Sequence, residues 1–255
     1  MPRYFLELAY KGTNYSGFQS QRNANTVQAE VEKAFETIQR EKILMTGSSR
    51  TDAGVHALQN YFHFDFEGTI PHDFVYKFNA ILPPDIVVKK IMEVHPETHC
   101  RFDAITREYI YYIYRQKDPF LKETAFYFPY KLDVDAMKQA AAILKEYTDF
   151  TSFSKRNTQV KTFNCQIQES NWQFQDNTLT YKVLSNRFLR GMVRALTATM
   201  LKIGRGKLSV QDFRHIIEAK DCTKASFAVP AHGLFLIKVN FEEDFNKNTA
   251  SSYRT

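Results

Sequence analysis

Residues 4–10 alternate, with Tyr4, Leu6, Leu8 and Tyr10 on one side and Phe5, Glu7 and Ala9 on the other, and this period of two predicts a strand. The run Lys11-Gly12-Thr13-Asn14-Tyr15-Ser16-Gly17 breaks it. From Thr26 the period changes. Val27, Val31, Ala34, Phe35 and Ile38 recur at helical spacing, and Asn25 with Gln28 three residues later resembles a capping box. Strand-like runs follow at 43–45, 60–66 and 86–94, with a short helix at 72–80.

The second half also mixes strands and helices. A strand is predicted at 106–114, then a helix at 134–144 with Met137, Ala140, Ala141 and Leu144 on one face. Residues 161–169 and 178–184 read as strands, and 172–174 as a candidate third. Helices follow at 188–203 and 210–218, and 233–241 reads as a closing strand. Each half opens on a strand and sets helices between further strands. This predicts an α+β protein of two sheet-and-helix subdomains, residues 1–105 and 106–244, followed by a polar tail, 245–255, that is expected to fray.

Charge divides along the same line. The chain carries 34 Lys+Arg and 28 Asp+Glu, a net of +6. Residues 1–105 hold 11 basic and 13 acidic groups, a net of −2, whereas the remainder holds 23 and 15, a net of +8. A basic second half suits a polyanionic partner. The 14 Tyr add candidate base-stacking rings. Cys100, Cys165 and Cys222 form no C-x-x-C pair, so neither a zinc ribbon nor a disulfide framework is indicated. They are expected to be free, buried or half-buried thiols in a reducing compartment. No leader pattern and no apolar run of 18 residues is present, so the chain is expected in the cytoplasm and off the membrane.

The stretch Gly47-Ser48-Ser49-Arg50-Thr51-Asp52-Ala53-Gly54-Val55-His56-Ala57 fits neither period. It reads as a tight loop presenting one acid, with Arg50 two residues before and His56 four after. A carboxylate so presented is a candidate nucleophile. A lone Asp in a turn also serves as a cap or an Asx-turn, so the residue alone leaves both readings open. His56 is expected to make a structural hydrogen bond. Tyr109, Tyr111 and Ile113 share one face of their strand. Arg187, Arg190 and Arg194, spaced by three and four, fall on one side of the predicted helix. Without context these are an aromatic strand and a solvated basic face.

The string Arg50-Thr51-Asp52-Ala53-Gly54-Val55-His56-Ala57 resembles the signature of the TruA family of pseudouridine synthases, which act on tRNA. Other segments resemble the same family in the same chain order. They are the run from Tyr10 to Gln21, Asn25-Thr26-Val27-Gln28, Asn79-Ala80-Ile81-Leu82-Pro83, His99-Cys100-Arg101-Phe102-Asp103-Ala104 and Arg107-Glu108-Tyr109-Ile110-Tyr111. Phe188-Leu189-Arg190-Gly191-Met192-Val193-Arg194 and Gly233-Leu234-Phe235-Leu236 follow late in the chain. The resemblance spans about Arg3 to Phe241. Three segments depart from it: Gly47-Ser48-Ser49 replaces a Gly-Ala-Gly, Phe18 a tryptophan, and Gly191 a common histidine.

The resemblance implies a homodimeric isomerase whose two subdomains form an extended, mostly antiparallel sheet with a central cleft. Its substrates would be uridines at positions 38 to 40 of the tRNA anticodon stem-loop. Asp52 matches the family's catalytic aspartate and Arg194 the arginine that pairs with it, keeping the carboxylate ionised. Tyr109 matches the ring packed on the target base, Arg50 the group that enters the RNA, and Leu234 the apolar wall of the uracil pocket. Arg187, Arg190, Lys155 and Arg156 are candidates for phosphate contacts. Converting uridine to pseudouridine imports no group and changes no oxidation state, so no cofactor or metal is expected. Two alternatives stand beside this reading: a pseudouridine synthase with another RNA target, and an RNA-binding protein without catalysis.

Overall fold

The computed structural model describes residues 1–156, 158, 160–175 and 177–242, and the expected polar tail lies outside them. The fold is mixed α+β. Among the described residues it has nine strands and five α-helices. In chain order these are β1 (Arg3–Tyr10), α1 (Val27–Gln39), β2 (Thr46–Gly47), β3 (His56–Asp65), α2 (Phe74–Ile81), β4 (Ile86–Val94) and β5 (Thr106–Tyr114), followed by β6 (Phe126–Tyr127), α3 (Val134–Ile143), β7 (Ile167–Gln175), β8 (Thr178–Ser185), α4 (Met192–Gly204), α5 (Val210–Glu218) and β9 (Leu234–Asn240). The described residues form two compact units, one from residues 1–105 together with 236–242, the other from Thr106–Phe235. Among the described residues no helix is long and apolar enough to cross a membrane.

In the first unit the strands run in the order β4-β1-β3-β9, and β1 pairs antiparallel with both β3 and β4. Phe35 of α1 is fully buried and meets Phe64, Phe66 and Phe74 edge-on, with ring centroids 5.3–5.7 Å apart. Edge-to-face pairs of this kind add to the transfer energy of the rings. Two local expectations give way. Thr26, not Asn25, caps α1, its hydroxyl accepting from the Ala29 N–H at 3.3 Å. The short strand lies at Thr46–Gly47 rather than 43–45. Met45 finds side-chain partners instead of a ladder: its N–H donates to Glu32 at 3.0 Å, and its carbonyl accepts from Gln28 at 2.7 Å.

In the second unit the order is β5-β8-β7, antiparallel throughout, with β6 parallel to the end of β5. The strand expected at 161–169 begins only at Ile167 and runs on through 172–174 as one strand, β7, which carries an irregularity between Ile167 and Glu169. Trp172 of β7 stacks on Tyr181 of β8 at 4.9 Å, and its indole N–H donates to the Met200 sulfur of α4. Helix α4 starts at Met192, four residues later than expected, because Gly191 sits at φ +74°. That left-handed backbone ends the approach and begins the helix.

His63 of β3 is buried against Cys100, whose N–H it accepts at 3.3 Å, and its ring meets His99 at 4.5 Å. Burial, with the charges of His99 and Arg3 nearby, pushes its pKa from 6.5 down to about 4. The unfolded chain therefore binds a proton more readily than the folded one, and stability falls as pH drops from 6.5 towards 4. The urea midpoint should fall on going from about pH 7 to about pH 5, and His63→Gln should flatten that fall. Parallel profiles for the two proteins would contradict this source of the pH dependence.

Candidate active site

The loop that carries Asp52 leaves β2 and re-enters the sheet at β3. Such a loop has buried peptide groups and no neighbouring strand to pair with them. Asn60, fully buried on β3, supplies the partners. Its carboxamide oxygen accepts from the Ser49 N–H at 3.3 Å and the Tyr61 N–H at 2.9 Å. Its nitrogen donates to the Ser49 carbonyl at 2.8 Å and the Tyr10 hydroxyl at 3.2 Å. Tyr10 in turn meets the Thr51 hydroxyl at 2.8 Å. The residues on both sides of Arg50 are thus fixed to β1 and β3.

The far side of the loop is held by the segment after β1. His56 is buried, and its Nδ1 accepts from the Gly12 N–H at 3.0 Å. Its role here is structural, and the partner lies outside the loop itself. Gly12 is pressed so close that a Cβ there would stand 2.0 Å from the Val55 carbonyl oxygen. Gly17, at φ +110°, passes over Thr51 and Asp52, and the Phe18 N–H donates to the Thr51 carbonyl at 3.1 Å. Phe18 stacks on Phe62 at 4.6 Å and on Tyr10 at 5.6 Å. Asp52 itself is half-buried and its carbonyl closes a turn with the Val55 N–H. Arg50 is exposed.

Tyr109, Arg194 and Leu234 belong to the second unit. Tyr109 is buried on β5, and its ring meets Phe188 edge-on at 5.1 Å and 83°. Arg194 lies in the first turn of α4 and donates through Nε and Nη2 to the Val229 carbonyl at 3.1 and 2.7 Å. One residue on, the Pro230 carbonyl accepts from the buried Tyr111 hydroxyl at 2.7 Å. A Cβ on Gly233 would come within 2.7 Å of the Tyr111 ring. Tyr111 and Arg194 therefore clamp the segment from Val229 to Gly233, which fixes where the buried Leu234 begins β9.

The expected basic helix face does not form. Arg187 and Arg190 precede α4, beyond the left-handed Gly191, so only Arg194 is on the helix. Arg190 is exposed, and its carbonyl accepts from the Lys155 N–H at 3.0 Å. The Lys155 stem lies over Gly191, 3.1–3.4 Å from where a Cβ would be. Lys155 and Arg190, distant in sequence, share one corner with the exposed Arg156 next along the chain.

One constellation escaped sequence reading. His63, His99 and Cys100 place potential ligand atoms within 4.8 Å of one another. However, His63 Nδ1 accepts from the Cys100 N–H, and His99 Nδ1 accepts from the Arg101 and Phe102 N–H groups at 3.1 and 3.3 Å. Each ring then carries its proton on Nε2 and has no lone pair left for a cation. The cluster braces the turn before β5. Asn60 was also missed. Its sequence signal is a lone amide at the head of the apolar run Tyr61-Phe62-His63-Phe64.

Comparison with known proteins agrees in one direction. A family model described as tRNA pseudouridine synthase matches residues 8–103 and 140–242. A tRNA pseudouridine synthase A of Parabacteroides distasonis is 47% identical over 247 residues, covering 96% of this chain and 98% of that protein. The protein of the same name from Porphyromonas gingivalis is 45% identical over 249 residues, covering 96% and 99%. One from Staphylococcus aureus is 37% identical over 245 residues, covering 95% and 93%.

The loop anchors make opposite predictions for two neighbouring substitutions. Asn60→Leu leaves buried peptide groups of Ser49 and Tyr61 without partners and should cost roughly 3 kcal/mol. The Ser48 hydroxyl is buried with no hydrogen-bond partner. Ser48→Ala should therefore be neutral or stabilising by about 1 kcal/mol. Chemical denaturation of both variants checks the pair; a costly Ser48→Ala or a harmless Asn60→Leu would contradict the assigned anchors.

Proposed function

As this chain belongs to the tRNA pseudouridine synthase family, whose members are isomerases, we propose that it converts uridines of the tRNA anticodon stem-loop, at positions 38 to 40, to pseudouridine with Asp52 as the catalytic carboxylate. The observation that carries the proposal is the fixed loop around Asp52. A nucleophile must meet its target in a defined geometry, and a misplacement of about 1 Å can cost a hundredfold in rate. Here the backbone on both sides of the acid is held by buried groups from rigid strands, while Asp52 itself is only half-buried. A loop serving only as a turn has no need of so many anchors.

The reaction breaks the bond between N1 and the ribose C1′, turns the uracil and rejoins it through C5, whose hydrogen leaves as a proton while N1 takes one up from solvent. Asp52 acts either as nucleophile, at the ribose C1′ or the base C6, or as the base that takes a C2′ proton on a path through a glycal; all three use the same acid. In this reading Arg194 is the counter-charge that keeps the acid ionised, Tyr109 the ring that receives the unstacked base, and Leu234 an apolar wall for the uracil. Arg50 enters the space that the extruded nucleotide leaves. The corner formed by Lys155, Arg156 and Arg190, with Arg187 nearby in sequence, supplies phosphate contacts that hold the tRNA by charge and shape. Two copies of the chain grip one tRNA in the cytoplasm.

The test uses tRNA labelled with tritium at uridine C5. The wild type should release the label to water. Asp52→Asn should bind the same tRNA with unchanged affinity and release none. Release by Asp52→Asn at the wild-type rate would remove the acid from the mechanism.

A further inference from the structure

The motif His99-Cys100-Arg101-Phe102 has no part in the chemistry above, yet the first unit builds it with care. The His99 N–H donates to Asp103 at 2.8 Å and the Asp103 N–H returns to the His99 carbonyl at 3.0 Å. The His99 ring accepts the Arg101 and Phe102 N–H groups of the turn. Cys100, fully buried, donates its thiol to the Thr46 carbonyl at 3.1 Å, which ties the turn to β2 at the base of the Asp52 loop. The product of this bracing is a fixed turn whose outermost ring is exposed. Phe102 is 74% accessible. It leans on His99 at 4.2 Å, and the exposed Arg101 guanidinium stands 5.8 Å from its ring centre.

What sets Phe102 apart from other exposed rings such as Phe120 is that it borders a pocket beside the Asp52 loop. Phe102 and Arg101 line a pocket of about 160 Å³ together with His99, Gln19, Thr46 and Arg50. Its chemistry is that of a nucleotide site: an aromatic face, the Arg101 guanidinium for phosphate, and an amide, exposed Gln19, for a base edge. Arg50 belongs both to this pocket and to the Asp52 loop. Two residues of chain span at most about 7 Å, and successive nucleotides of a stacked strand rise about 3.4 Å. The pocket is therefore within reach of a nucleotide adjacent to the one that faces Asp52.

We propose that the pocket formed by Phe102, Arg101 and Arg50 is a second base subsite, which takes an unstacked nucleotide flanking the target uridine, stacked on Phe102. This rests on the function proposed above. When one nucleotide leaves the stack and Arg50 takes its space, the neighbour exchanges a base for a guanidinium, and an aromatic ring at this place supplies a full stacking face. The subsite lowers the cost of extrusion and reads the neighbour by stacking rather than by a hydrogen-bond code, so it tolerates different bases.

The test is a cycle between protein and RNA. Phe102→Ala should weaken binding of an anticodon stem-loop about tenfold, and Phe102→Tyr should restore it. The loss from Phe102→Ala should disappear on RNA made abasic at one nucleotide flanking the target, and persist when the abasic site is moved elsewhere. Thermal unfolding of the variant should match the wild type, since the ring is exposed. An unchanged affinity, or an equal loss on every abasic RNA, would overturn the subsite. If the wild type isomerises the stem-loop in the same assay, such a result leaves the proposed function standing. A wild type that neither binds nor isomerises the RNA would remove the function and the subsite with it.

Discussion

The buried carboxamide of Asn60 is the interaction on which the rest of the candidate site depends. A loop that must present an acid cannot also be a strand, so its peptide groups lose their ladder partners. Each buried group left unpaired costs about 1–3 kcal/mol. Asn60 answers both the N–H and the carbonyl of Ser49 and holds Tyr10, which reaches Thr51. His56 and Gly12 do the same for the other end. The irregular segment thereby takes its rigidity from β1 and β3, and Asp52 is positioned without being enclosed.

Regular elements were legible where packing and period agree. Strand β5 matches its expected bounds because its β-branched and aromatic run ends where the strand does, and burial alternates through its middle, with Tyr109, Tyr111 and Ile113 buried. Helices α3 and α5 follow their apolar spacing closely. The misses have local causes. Residues 43–45 look like a strand, but Gln28 and Glu32 take the hydrogen bonds that a neighbouring strand would need. Arg187 and Arg190 keep helical spacing with Arg194, yet one left-handed glycine cuts them off from the helix. Periodicity records which face a side chain prefers, not where the backbone changes hand.

The candidate site was legible in a different way. Composition and spacing presented Asp52 as one acid in a turn, and only the ordered motifs along the chain gave it a chemistry. The structure adds what neither could: the supports. Asn60, Tyr111 and the Val229 carbonyl hold the site residues without carrying charge or nucleophilicity, so no motif of reactive groups points to them. The cluster of His63, His99 and Cys100 shows the opposite limit. Its residue types suggest a metal centre, while the direction of each N–H assigns the ring lone pairs to the backbone. Which atom carries the proton decides between a ligand set and a brace.

The central claim is that a carboxylate held on this loop isomerises particular uridines of tRNA. Carbodiimide-based mapping of tRNA taken from cells that lack the protein, before and after incubation with the purified chain, tests it most directly. The account predicts new pseudouridine stops confined to positions 38 to 40 of the anticodon stem-loop. An unchanged map, or stops only at other positions, would contradict it.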